Sequence, residues 1–370
     1  MQVPKNMIFN FISDYAGQGT IRTVWPFSAL NAIYAQKQQL ISQQLVFFPQ
    51  DAHTLQMART LYFQRQFHTN HLNIIKYYKS LQPELRYKMV WEMDDMIWGF
   101  NETQGGSIEE GIPSYNKAHD KITPEMKQAS IDIMNEMDLL TFSTQYLADY
   151  VKNVLGVKIP STVVPNSVPL AYWGDQHVQQ KTTDIKKPKV IYTGSPTHYN
   201  NEDKLLGDWD NSWKDWVIKS VKNNEIDFTC FGGLPWFLEE IKDKIKVINW
   251  VQSFRLHLDI KNENADFCIN PLVQNDFNHS KSDLKLVECS AGGIACIGTT
   301  FSNGKPSPYD ECRITVPLES TVADIDNIIN TYCNKDKYNE VIKYQYEWMQ
   351  TEGRYTESAK HINRIVKVVT

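Results

Sequence analysis

Short apolar runs alternate along the chain with longer stretches in which apolar residues return at helical spacing. Residues 7–12, 45–48, 60–63, 89–93, 139–143 and 161–165 are rich in β-branched and aromatic residues and predict strands. Helical patterns fall at 26–38 and 145–155. The rhythm breaks at 174–189, a polar stretch of Gln, Thr, Asp and Lys that predicts a domain boundary. It then restarts, with strands expected at 190–194, 226–231, 245–249, 267–271, 294–298 and 314–316, and a charged helical tail over 338–365. Strands alternating with helices imply βαβ units and parallel sheets. Nearly continuous apolar strands imply that both sheet faces are covered. The expected fold is α/β, with two doubly wound halves whose strand ends face a cleft. The expected divisions are residues 1–175, 188–335 and a helical segment 336–370 that packs back across the junction.

The chain has 370 residues, enough for two domains, and 42% are hydrophobic. A net charge of −5 lowers the prior for nucleic-acid binding without excluding a local basic groove. The six cysteines form no CxxC pair and no zinc-like spacing, and predict reduced core residues. No apolar run approaches a membrane span, and the N-terminus lacks a signal-peptide pattern. A soluble protein of a reducing cytoplasm is expected. Oligomeric state is not readable from the sequence.

The strongest local signal for chemistry lies between Asn270 and Gly293. A buried strand would end at Pro271, a polar loop follows, and a helix is expected to start near Ser280–Ser282. Free N–H groups and the positive dipole end there suit phosphate. Lys281, Lys285 and Glu288 would share one helix face, offering cations to a diphosphate and a carboxylate to ribose hydroxyls. The spacing alone is equally that of a Ser-capped surface helix with a charged stripe.

Asp94 and Asp95 end the apolar run 89–93, where a carboxylate can polarise an acceptor hydroxyl, hold a divalent metal or merely cap a turn. Gly17-Gln18-Gly19 follows the first strand, with Arg22 where a dinucleotide fingerprint would want its third glycine. It permits close backbone approach to a ligand, or is a flexible turn with a solvated arginine. Gly194 and His198 follow the first strand of the second half. Gly232 opens a permissive turn suited to a nucleobase, or a plain tight turn. Arg65 and Lys204 sit at further strand ends or loops.

Phe277-Asn278-His279-Ser280-Lys281-Ser282, then Lys285, Glu288 and Ala291-Gly292-Gly293, resembles the donor-site signature of GT-B glycosyltransferases. More narrowly, it is similar to bacterial and phage members of the large retaining, family 4-like group. Tyr192-Thr193-Gly194-Ser195-Pro196-Thr197-His198, Asn249-Trp250 and Val164-Pro165-Asn166-Ser167-Val168 resemble further elements in the expected order. The resemblance implies a GT-B fold of two Rossmann-like domains. It implies an enzyme moving a hexose or pentose, with retention, from a nucleotide sugar to an acceptor hydroxyl. A UDP-sugar is the expected donor, with no further cofactor or metal required. Lys281 would contact phosphate and Glu288 ribose. Gly17, Gly19, Arg22, Gly194, His198, Gly232, Ser280, Ser282 and Lys285 would complete the donor site. Asp94, Asp95 and Lys281 would be catalytic. Ser280 departs from the group, which carries glutamate there. The expected acceptor is a glycan or cell-surface polysaccharide. The alternatives are hydroxymethylated DNA bases, a UDP-sugar epimerase, and a non-catalytic nucleotide-sugar-binding protein.

Overall fold

The computed structural model describes residues 6–13, 17–37, 39–45, 47–98, 123–173, 180–251, 253–302 and 304–370. Among these, twelve strands form two six-stranded parallel sheets. The first comprises β1 (Met7–Phe11), β2 (Ile41–Leu45), β3 (Ala58–Gln64), β4 (Lys88–Met93), β5 (Leu139–Phe142) and β6 (Ser161–Val163), in the order β2-β1-β3-β4-β5-β6. The second comprises β7 (Lys189–Thr193), β8 (Asp227–Phe231), β9 (Lys246–Ile248), β10 (Phe267–Asn270), β11 (Ala295–Thr300) and β12 (Ile314–Pro317), in the order β12-β11-β10-β7-β8-β9. Strand order reverses between β7 and β10, the switch point where such sheets open a crevice at their strand C-termini. Part of the expected boundary, 174–179, lies outside the described residues.

One predicted strand is misplaced. Of the described residues in the run 45–48 only Leu45, the last residue of β2, belongs to the strand. β2 reads Ile-Ser-Gln-Gln-Leu and lies at the sheet edge, where only some positions are buried. An edge strand need not be apolar throughout, so its pattern is weak.

Ten helices of five or more residues are used below: α1 (Trp25–Tyr34), α2 (Thr69–Leu85), α3 (Pro124–Asn135), α4 (Gln145–Asn153), α5 (Asn211–Lys222), α6 (Ser253–Glu263), α7 (Asp276–Ser280), α8 (Leu284–Gly292), α9 (Val322–Tyr332) and α10 (Lys335–Glu352). A final helix, α11 (Ala359–Val369), follows. The first half's largest core runs under α2, α3 and α4, through Leu61, Phe63, Met89, Trp91 and Ile133. The second half's core holds Trp209, Trp213 and Trp216 against Tyr192 and Phe228. Much of the tryptophan content is therefore packing. Asp210 starts α5 by accepting from Trp213 N at 2.8 Å, a cap worth about 1 kcal/mol. Cys230, Cys268, Cys289, Cys296 and Cys312 are buried free thiols, as the composition implied.

The tail divides its contacts. α10 seats Gln345 against the second sheet, where its Nε2 donates to Cys296 O at 3.0 Å. Gly353, at φ +62, ends that helix in a left-handed turn. α11 returns to the first sheet, where Thr60 Oγ1 donates to Val369 O at 2.7 Å. Among the described residues, no helix is long and apolar enough to cross a membrane.

Candidate functional site

A cleft opens at the C-terminal ends of β7 and β8, beside the switch point. The second half supplies Thr193, Gly194, His198, Phe231, Gly232, Trp250 and the first turns of α8. The first half supplies Gly17 and Ile21. The turn at Gly232 is tight for a structural reason. Its φ is +97, and a Cβ there would stand 2.2 Å from Gly194 O. Only glycine lets these two loops approach so closely.

Gly17 does not sit in a flexible turn. Gly17–Gly19 begins a helical stretch that is π-wound over Thr20–Val24 before it continues as α1. Such π-turns often mark functional positions. This one sends two neighbours different ways. Ile21 faces the cleft, while Arg22 is buried away from it. Arg22 Nε donates to Glu92 Oε1 at 2.6 Å, and Nη1 donates to Val164 O at 2.5 Å and Asn166 Oδ1 at 2.8 Å. Burial opposes the guanidinium's charge, but Glu92, Tyr62 and Asp94 together outweigh it and hold the pKa above the ordinary arginine value. The phosphate-facing role expected for Arg22 does not match this geometry. Its donors tie β4 to the segment between the two sheets. Gly19 is buried, and its carbonyl accepts from the Thr23 hydroxyl.

Helix α8 starts later than expected. α7 ends at Ser280, Lys281 is extended at φ −60 and ψ 147, and α8 begins at Leu284. Lys281 therefore does not share the α8 face. Its Nζ instead reaches Asp208 Oδ2 at 3.0 Å. Ser280 is fully buried, donates from Oγ to Phe277 O at 2.7 Å, and its carbonyl accepts from Thr144 Oγ1 at 2.9 Å. Ser282 Oγ accepts from Asn166 Nδ2 at 2.7 Å. Both serines link the two halves and neither lines the cleft.

Lys285 and Glu288 do line it, one turn apart on α8. Among the described residues Lys285 makes no side-chain hydrogen bond or ion pair, and it stands 5.3 Å from the Tyr192 ring centroid. Burial, then the neighbouring Lys281, pushes its ammonium below the usual lysine range. Glu288 Oε1 meets His257 Nε2 at 2.7 Å, and His257 packs between Trp25 and Trp173. That contact orients the carboxylate in the cleft wall.

A buried carboxylate missed in the sequence organises this end of the cleft. Asp208 Oδ1 accepts from Asn278 Nδ2 at 2.8 Å, and Oδ2 meets His198 Nδ1 at 2.7 Å as well as Lys281. Burial opposes its ionisation, but Lys281, then His198 and Asn278, hold it well below the carboxylate range. Asp208 is one of two acids in a Gly-Asp-Trp-Asp stretch, and no spacing pointed to it. Trp250 was also underread. It is 56% exposed on the cleft wall beside Val251 and Leu256, and a large exposed aromatic at a strand end was the available signal.

Asp94 and Asp95 stand just beyond β4, outside this cleft wall. Asp94 is buried, with Oδ1 unpartnered, and burial, then Asp95 and Glu92, push its carboxyl well above the usual range. Asp95 accepts from the Gln18 amide. The neighbouring segment 99–122 lies outside the described residues.

No family model matches the sequence, nor does any curated protein. Solved structures do resemble the fold. Sucrose-phosphate synthase from Thermosynechococcus elongatus superposes with a TM-score of 0.60 at 11% identity, over 98% of each chain. Anabaena HepE, in complex with UDP-glucose, gives 0.57 at 10% identity, over 98% of this chain and 99% of that one. T4 phage BGT, in complex with its UDP-glucose substrate, gives 0.51 at 11% identity, over 98% and 99%. The architecture is GT-B: two α/β units, each built on a six-stranded parallel sheet.

Proposed function

We propose that the protein is a glycosyltransferase that binds a UDP-sugar in the cleft and moves its sugar to an acceptor hydroxyl. One observation carries the reading. Lys285 is a partly buried ammonium with no ion pair or hydrogen bond among the described residues, on the wall of a cleft at the strand C-termini. Holding an unpaired cation out of water is costly, and a bound diphosphate would repay it. The start of α8 adds its dipole, and Lys281 adds charge behind Asp208. Trp250 would stack on the base and Glu288 would accept from ribose hydroxyls. The UDP-glucose held by HepE and T4 phage BGT supports uridine as the base.

In this reading residues 1–175 face the acceptor, 188–335 hold the donor, and 336–370 span both. Gly17, Gly194 and Gly232 let backbone approach the donor. Asp94 or Asp95 would polarise the acceptor hydroxyl, and stabilisation of the departing diphosphate would supply much of the rate. Arg22, Gly19, Ser280 and Ser282 would support the site rather than touch the donor. Retention is favoured by the resemblance of the 278–288 segment to retaining enzymes, and NMR of the product's anomeric proton decides it.

The test is calorimetry with UDP-, GDP- and ADP-glucose. Binding of the uridine compound alone is expected. Binding of none by folded protein would sink the proposal. Transfer of labelled sugar to glycan, and not to hydroxymethylated DNA, is the expected acceptor result.

A further inference from the structure

The contact between His198 and Asp208 decides which imidazole nitrogen faces the cleft. An ionised carboxylate only accepts, so Nδ1, 2.7 Å from Asp208 Oδ2, carries the hydrogen. The backbone reinforces the contact, because Asp208 N donates to His198 O at 2.8 Å. Gly207 makes that return possible. Its φ is +66, and a Cβ there would stand 2.2 Å from His198 O. Nε2 is left with the lone pair and, among the described residues, no hydrogen-bond partner, on a ring that forms part of the cleft wall.

The protein groups around the ring hold this imidazole neutral. Burial, then Lys285 and Lys281, push its pKa down to about 3, against the pull of Asp208. A lone pair facing a phosphate oxygen is repulsive, whereas an N–H there is a charge-assisted donor. The charged groups around the ring are Asp208 from the loop before α5, Lys281 before α8, and Lys285 and Glu288 on α8. An entering diphosphate would cancel the repulsion from the two lysines.

We propose that His198 takes up one proton as a nucleotide sugar enters the cleft, with Nε2 then donating to a diphosphate oxygen. The proton comes from solvent and returns there when the nucleotide leaves. Asp208 is the positioning residue that holds the ring and stabilises the imidazolium. The proposal rests on the donor-cleft reading above.

UDP-glucose is the probe, because a diphosphate esterified at both ends does not titrate near neutral pH. Calorimetry at neutral pH, in buffers of different ionisation enthalpy, should show uptake of about one proton per ligand bound. Affinity should fall about tenfold per pH unit as pH rises. The His198 ring nitrogens should change from a neutral to an imidazolium 15N signature on binding. His198→Gln should bind more weakly and with no uptake, and Asp208→Asn should take up less than wild type. Binding without proton uptake, or equal uptake in His198→Gln, overturns the proposal and leaves the donor cleft standing. Absence of binding by UDP-, GDP- and ADP-glucose alike overturns both. If His198→Gln does not fold, the wild-type 15N signature decides: a ring that stays neutral in the complex overturns the proposal.

Discussion

Arg22 in the first half and Lys285 in the second are both cations withdrawn from water near the junction of the two sheets. Arg22 has Glu92, Val164 and Asn166 as partners and no place on the cleft wall. Lys285 lies on that wall, has no ion pair among the described residues, and feels Lys281 more strongly than Asp208 and Glu288. A cation paired with a buried carboxylate inside the protein holds the fold together. One left without an anion stores a cost that a ligand can relieve. The difference separates a structural charge from a binding one more sharply than exposure does.

The largest expected effects fall on these two cations, one in binding and one in stability. Lys285→Met should lower UDP-glucose affinity about 100-fold, near 3 kcal/mol, in calorimetry. Its Tm should hold or rise, because an uncompensated buried charge has been removed. A variant that unfolds would show that Lys285 is structural after all. Arg22→Met should do the reverse. Leaving Glu92 buried and unpaired should cost about 3–5 kcal/mol in chemical denaturation, and Arg22→Met with Glu92→Met should recover much of it. If Arg22→Met stayed stable and lost donor binding, the phosphate role for Arg22 would return.

Trp250→Ala should weaken UDP-glucose about tenfold, near 1.4 kcal/mol, and remove any ligand-induced fluorescence quenching from that ring. Unchanged affinity would place the base elsewhere. The smallest effect concerns pH. His361 is buried, with Nε2 3.1 Å from Ser167 Oγ, and burial, then Arg22, push its pKa down to about 3. It is neutral when folded and protonates near pH 6.5 when unfolded, so stability is lost as pH falls below about 6.5. Between pH 6.5 and 5, His361→Gln should lose about 1–2 kcal/mol less than wild type. Parallel losses would mean that other groups carry the acid sensitivity.

Local pattern was enough for the strands because a buried parallel strand must be apolar along its whole length. It failed at β2, where the sheet edge relaxes that demand. It also misjudged the start of α8. Ser280 and Ser282 look like helix caps, yet both are drawn into hydrogen bonds that cross between the halves. Lys281, Lys285 and Glu288 read as one stripe only if a single helix carries all three. The break at Lys281 sends its ammonium to Asp208 instead.

The amino-acid sequence by itself determined the α/β class and the repeated half. Those features follow from periodicity, which is local and written in consecutive residues. The partners of each charge were decided only by tertiary structure. Glu92 lies 70 positions from Arg22, and Asp208 lies 73 from Lys281. Whether a cation is spent or free depends on what the fold brings beside it. No spacing along the chain encodes that distance.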